Sequence, residues 1–134
     1  MLDHLRRRVI DLLAPVHVAT LSTSGPAGIQ AQVLPCESDG IDLYVLVPVT
    51  SEHLYNLELG GRAVVTTPGW QLRGDGCILA VQDAPTTLAL SHDARSAGCA
   101  LVKVMPRQLH IGQPNGWGFN ETIDIPDESS RNVP

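Results

Sequence analysis

The chain has 134 residues, 43% of them hydrophobic and 17% charged, with a formal net charge of −5. That length suits one domain with a substantial buried core. The acidic balance, with Lys103 as the single lysine, argues against nucleic acid as a partner, and no apolar run is long enough to span a membrane.

The charged N-terminus is not followed by an apolar signal region, so a cytoplasmic protein is expected. Leu2, Leu5, Val9, Leu12 and Leu13 recur at helical spacing, with Asp3 as N-cap and Pro15 as stop. Arg6, Arg7 and Arg8 then form the solvated face of that helix. Residues 16–23 are β-branched and apolar and read as a first strand. A Ser-Gly-Pro-Ala-Gly turn separates them from a second strand at 29–36. Ser38-Asp39-Gly40 is a hairpin signal before a third strand at 43–47. Residues 51–59 read as a short helix with Leu54, Leu57 and Tyr55 on its apolar face, ended by Gly60-Gly61 through a left-handed cap. A fourth strand at 63–67 turns at Pro68-Gly69 into a long fifth strand at 70–82. Gly74 and Gly76 inside that strand signal a bulge or a close approach by another backbone or a ligand. Residues 86–90 extend a strand or lead into a helix at 91–97 capped by Ser91. A sixth strand at 101–111 is interrupted by Pro106, and a last one is expected at 119–125. The expected organisation is one domain over residues 1–125 with a polar, disordered tail at 126–134.

Thr50-Ser51-Glu52-His53 places hydroxyls at a helix start that follows a strand. Free N–H groups and the helix dipole make such a place an anion site, although a plain N-cap explains Ser51 as well. His53 adds a cation when protonated. Gln71 and Arg73 stand two apart, so they share one face of their strand, and Gln30 and Gln32 do the same on theirs. Arg73 has the fork geometry that suits phosphate. Five scattered histidines make no zinc pattern. Cys36, Cys77 and Cys99 form no C-x-x-C pair and read as free, buried thiols. No P-loop, Rossmann glycine fingerprint or G-x-S-x-G occurs.

The order of elements over residues 43–76, with Ser51 and His53 at the helix start and Gly60-Gly61-Arg62 at its end, resembles the flavin-binding split barrel of the pyridoxamine 5'-phosphate oxidase-like superfamily. Val104 to Leu109 and the Asn115-Gly116-Trp117-Gly118-Phe119 segment add to the resemblance, which covers roughly residues 5 to 125. It implies an α+β, mainly antiparallel fold: a six-stranded split β-barrel with short flanking helices. It also implies flavin mononucleotide (FMN) as cofactor, a homodimer, and redox chemistry on a small molecule. On this reading Thr50, Ser51, His53 and Arg73 hold the phosphate. Gln30, Gln32, Val47 and Gln71 address the ring or ribityl chain, and Trp117 covers the site. Glu52 departs from the pattern by placing a carboxylate where phosphate would sit. No catalytic acid or base and no metal ligand is singled out, and a terminal Arg-x-His substrate motif is absent. The alternatives are a split barrel without flavin acting as a binding or regulatory module, and a haem- or deazaflavin-binding member of the same fold. For haem, His53, His92 or His110 would serve as the axial ligand.

Overall fold

The computed structural model describes residues 1–96, 98–113 and 118–126. The elements run α1 (Asp3–Leu13), β1 (Val18–Thr23), β2 (Gln30–Asp39), β3 (Asp42–Pro48), α2 (Glu52–Gly60), β4 (Arg62–Thr67), β5 (Trp70–Leu79), α3 (Ala89–Ser96), β6 (Cys99–Gly112) and β7 (Phe119–Asp124), with a 3₁₀ turn at Val81–Asp83. The strands form one antiparallel sheet in the order β3-β2-β1-β4-β5-β6-β7, and a further pairing of β3 with β6 closes the first six into a barrel. This is the expected six-stranded α+β barrel, with β7 as an added strand along β6.

Alternation sets which side chains fill it. Leu21 on β1, Leu43, Val45 and Val47 on β3, Val65 on β4, Leu72 on β5, and Val102, Val104 and Leu109 on β6 are fully buried together. Val9 and Leu13 bring α1 onto the same core. The indole Nε1 of Trp70 donates to the Leu12 carbonyl at 3.3 Å, which ties the last turn of α1 to β5. Arg7 and Arg8 face outward as expected while Arg6 is half-buried, and Arg8 pairs with Glu121 on β7. Asp3 is not the N-cap: it is the first helical residue, after Leu2, which offers no capping side chain. A second cluster lies on the other face of β3, where Tyr44, Leu46 and Leu101 meet Leu88, Leu90 and Ala94 of α3 and its approach.

Three boundaries differ from expectation. The fifth strand stops at Leu79, because residues 81–83 turn back in a 3₁₀ bend. Helix α3 starts at Ala89, so residues 86–90 do not extend a strand. The Ala89 and Leu90 N–H groups donate to the Glu37 carboxylate, which takes the capping place assigned to Ser91. Strand β6 runs unbroken through Pro106 because the β5–β6 register shifts at Arg73/Gly74, pairing Arg73 with Gln108 and Gly74 with Pro106. The bulge absorbs the missing N–H of proline. A Cβ at Gly74 would lie 2.3 Å from the Met105 carbonyl oxygen, so only glycine fits there. Of the three thiols only Cys36 is buried; Cys77 and Cys99 are half-exposed.

The barrel is open at one place. Pairing of β2 with β3 ends at Cys36–Val45, and the next residue, Pro35, has no N–H to offer. Among the described residues, β2 from Gln30 to Pro35 pairs only with β1, leaving its other edge free. Helix α2 follows β3 out of this split.

Candidate functional site

Helix α2 is held by polar side chains as much as by apolar ones. Its buried residues are His53, Asn56 and Leu57, the i, i+3, i+4 set of one face. Tyr55, expected on the apolar face, is exposed. Leu57 enters the core against Gly76, where a Cβ would come within 2.9 Å of its Cδ2. The close approach signalled by Gly76 is thus made by the protein's own helix. The Gly76 N–H also bonds the Gly61 carbonyl, and Gly61 ends α2 in the left-handed conformation at φ 69°.

The polar residues of that face bind α2 to the end of β1 and the loop before β2. Asn56, 1% exposed, accepts from the Ala27 N–H at 3.0 Å. It donates through Nδ2 to the Gly28 carbonyl at 3.0 Å and to the Thr23 hydroxyl at 3.2 Å. Thr23 Oγ1 also lies 2.7 Å from His53 Nδ1, and His53 is 2% exposed. Burial pushes the His53 pKa below its ordinary value, so the ring is neutral at pH 7. Gly25 completes the cluster: a Cβ there would meet Asn56 Oδ1 at 2.8 Å.

At the helix start, Ser51 Oγ accepts from the His53 N–H at 3.2 Å, so the hydroxyl serves as an N-cap. Thr50 is exposed. Gln30 Nε2 donates to both the Ala27 carbonyl, at 3.0 Å, and the Glu52 carboxylate, at 2.9 Å. Glu52 is thereby drawn toward β2, and Gln30 keeps only its Oε1 open.

The structure therefore gathers Gln30, Thr50, Ser51 and His53 at the split, with Gln32 exposed further along the free-edged part of β2. Gln71 and Arg73 stand elsewhere, on the outer wall of the barrel. They lie in two cross-strand rows, Thr20–Thr66–Gln71–His110–Thr122 and Ser22–Val64–Arg73–Gln108–Asp124. No hydrogen bond or ion pair joins either of them to the α2 cluster. Val47 points its side chain into the core. Trp117 lies outside the described residues. On the outer wall His110 stacks on Phe119 with centroids 4.9 Å apart, and its Nδ1 is 2.8 Å from Thr122 Oγ1. Sequence reasoning missed Thr23 and Asn56. The available signal was Asn56 three residues after His53 and next to Leu57, on a face that must be buried. Among the described residues no group of three His, Cys, Asp or Glu is placed to hold a metal ion.

The closed barrel, the split at Pro35 and the capped helix after β3 can be set beside known structures. General stress protein 26 from Bacillus anthracis superposes with a TM-score of 0.66 at 13% identity, covering 91% of this chain and 99% of that one. A protein related to general stress protein 26, of the pyridoxinephosphate oxidase family, from Clostridium acetobutylicum gives 0.68 at 11% identity, covering 93% and 97%. The chain has the split-barrel fold of the pyridoxamine 5'-phosphate oxidase-like superfamily. At these identities what is shared is the fold. A heme binding protein from Mycobacterium smegmatis has the same fold, with a TM-score of 0.61 at 16% identity; the match covers 89% of this chain and 56% of that protein. No protein-family profile and no curated protein sequence matches this split barrel. Among its described residues no helix is long and apolar enough to cross a membrane.

Proposed function

We propose that this split barrel binds FMN where α2 leaves the split, works as a homodimer in the cytoplasm, and carries out redox chemistry on a small molecule. The observation that carries the reading is the start of α2. There a helix N-terminus opens beside a free strand edge with exposed Thr50, the capping Ser51 and the neutral His53 ring around it. These residues fit an anion as hydrogen-bond donors, not as a cluster of cations, because α2 carries no lysine or arginine and Glu52 occupies its first turn. Bound flavin would supply the hydride chemistry. The chain's own part is to hold and orient: Thr50, Ser51 and His53 for the phosphate, with Gln30 Oε1, Gln32, the Val47 backbone and Trp117 for the ring and ribityl chain, whereas Gln71 and Arg73, on the outer wall, are left out of this site.

The dimer is supported by the surface beside the split. Ile29, just before β2, is 85% exposed and Val33 on it 63%, beside an outer edge that has no partner among the described residues. Unpaired edges flanked by apolar side chains are usually covered. Glu52 favours one second reading, a split barrel that has lost its flavin and binds another ligand or partner.

The test is the visible spectrum of the purified protein before and after FMN is added and removed by desalting. Retained absorbance near ~450 nm at about one flavin per chain supports the oxidoreductase reading. No retained flavin and no thermal shift at saturating FMN would leave the cofactor-free reading standing. A Soret band on titration with haem would move the assignment to haem.

A further inference from the structure

Which nitrogen of His53 carries its proton follows from the hydrogen bonds around it. Asn56 has one orientation open to it, because the Ala27 N–H can only donate and so faces Oδ1. Its Nδ2 then spends both hydrogens, one on the Gly28 carbonyl and one on Thr23 Oγ1. Thr23 accepts that bond and keeps one hydrogen of its own. The acceptor within reach is His53 Nδ1, at 2.7 Å. Were Nδ1 protonated, Thr23 would accept twice and its own hydrogen would be left without an acceptor in a residue only 4% exposed. Nδ1 is therefore the acceptor, and the proton sits on Nε2.

Among the described residues Nε2 has no hydrogen-bond partner. No buried side-chain nitrogen or oxygen among the described residues lacks a hydrogen bond, so Nε2 lies at the small edge of the ring that reaches the surface. We propose that Asn56 and Thr23 hold His53 as the neutral Nε2–H tautomer, so that the start of α2 presents one fixed hydrogen-bond donor, not a cation, to an acceptor oxygen of the ligand. This rests on the proposed cofactor site, where the acceptor is a phosphate oxygen of the flavin. Thr23 and Asn56 are positioning residues: they touch His53, not the ligand. The arrangement matches the surroundings, because Glu52 in the same turn would attract an imidazolium into an ion pair, whereas a neutral N–H stays available for a ligand.

Long-range ¹H–¹⁵N spectra of the uniformly labelled, flavin-free protein at pH 7 read the tautomer directly. The expected His53 pattern is an unprotonated Nδ1 beside a protonated Nε2, and Thr23→Val should turn it into a mixture of tautomers. An Nδ1–H tautomer, or an imidazolium at that pH, overturns the proposal whatever flavin does. With FMN as probe, His53→Gln, whose amide nitrogen falls near the place of Nε2, should bind within about threefold of the parent chain. His53→Asn, whose amide falls near Nδ1, should bind roughly tenfold or more weaker, the worth of one hydrogen bond to a charged group. Equal loss in both variants overturns the donor role. If the tautomer is found but the parent chain does not bind FMN, the flavin reading fails while the fixed donor stands.

Discussion

Asn56→Ala tests whether the polar lock under α2 holds the fold together. The side chain makes three hydrogen bonds from a position that is 1% exposed. Truncation leaves the Ala27 N–H, the Gly28 carbonyl and the Thr23 hydroxyl without that partner. At about 1 kcal/mol per net bond the loss is about 3 kcal/mol, and more if the cavity stays dry. For 134 residues the unfolding entropy is about 0.28 kcal/mol/K, so the melting temperature should fall by about 10 °C. Asn56→Asp separates bonding from volume. It keeps an acceptor for Ala27 but sets an oxygen against the Gly28 carbonyl and buries a carboxylate, so it should cost at least as much as alanine. Calorimetry gives both values, and hydrogen exchange at Ala27 should quicken in both variants. A drop under about 3 °C for alanine, or a tolerated aspartate, would refute the reasoning, since one lost bond alone is worth that much.

Gly74→Ala sets a Cβ 2.3 Å from the Met105 carbonyl oxygen, a backbone atom that cannot swing away, and should destabilise by about 2 kcal/mol or more in chemical denaturation. Stability should depend on His53 below neutral pH. The unfolded ring takes up its proton near pH ~6.5 and the folded ring only lower, so stability is complete above that range. It then falls as pH drops, by at most ~1.4 kcal/mol per pH unit, until the folded ring titrates, and His53→Gln should remove that part of the slope. Cys36, whose thiol burial raises to about 11, should resist alkylation at pH 8 while Cys77 reacts, as mass spectrometry of a timed reaction would show. Val33→Lys on the free edge of β2 should yield monomers by light scattering if a second copy covers that edge, with the melting curve of the isolated barrel little changed.

Much of the fold was legible because its signals are local. Apolar, β-branched runs between turn signals marked β1 to β4, Gly60-Gly61 marked the end of α2, and Ser51 marked its start. Gly74 and Gly76 announced contacts that the structure assigns to the bulge and to Leu57. The misses have local causes too. Pro106 looked like a break because the bulge that accommodates it depends on the neighbouring strand, and Ser91 looked like a cap because the actual one is the side chain of Glu37, 52 and 53 residues away from the groups it accepts from.

The candidate site was legible only in outline. Residue types and periodicity by themselves determined that a capped helix follows a strand, that Gln30 and Gln32 share one face, and that Gln71 and Arg73 share another. Only the tertiary structure decided that β3 closes on β6, that Arg73 stands on the outer wall, and that Glu52 is held by Gln30. It also decided that His53 is buried and neutral, because burial takes water from its ring, and that the ring meets Thr23, which lies 30 residues away in the chain. A side chain's type is written in the sequence. Its charge and its proton depend on the solvent it loses and on the partner it meets, and folding supplies both.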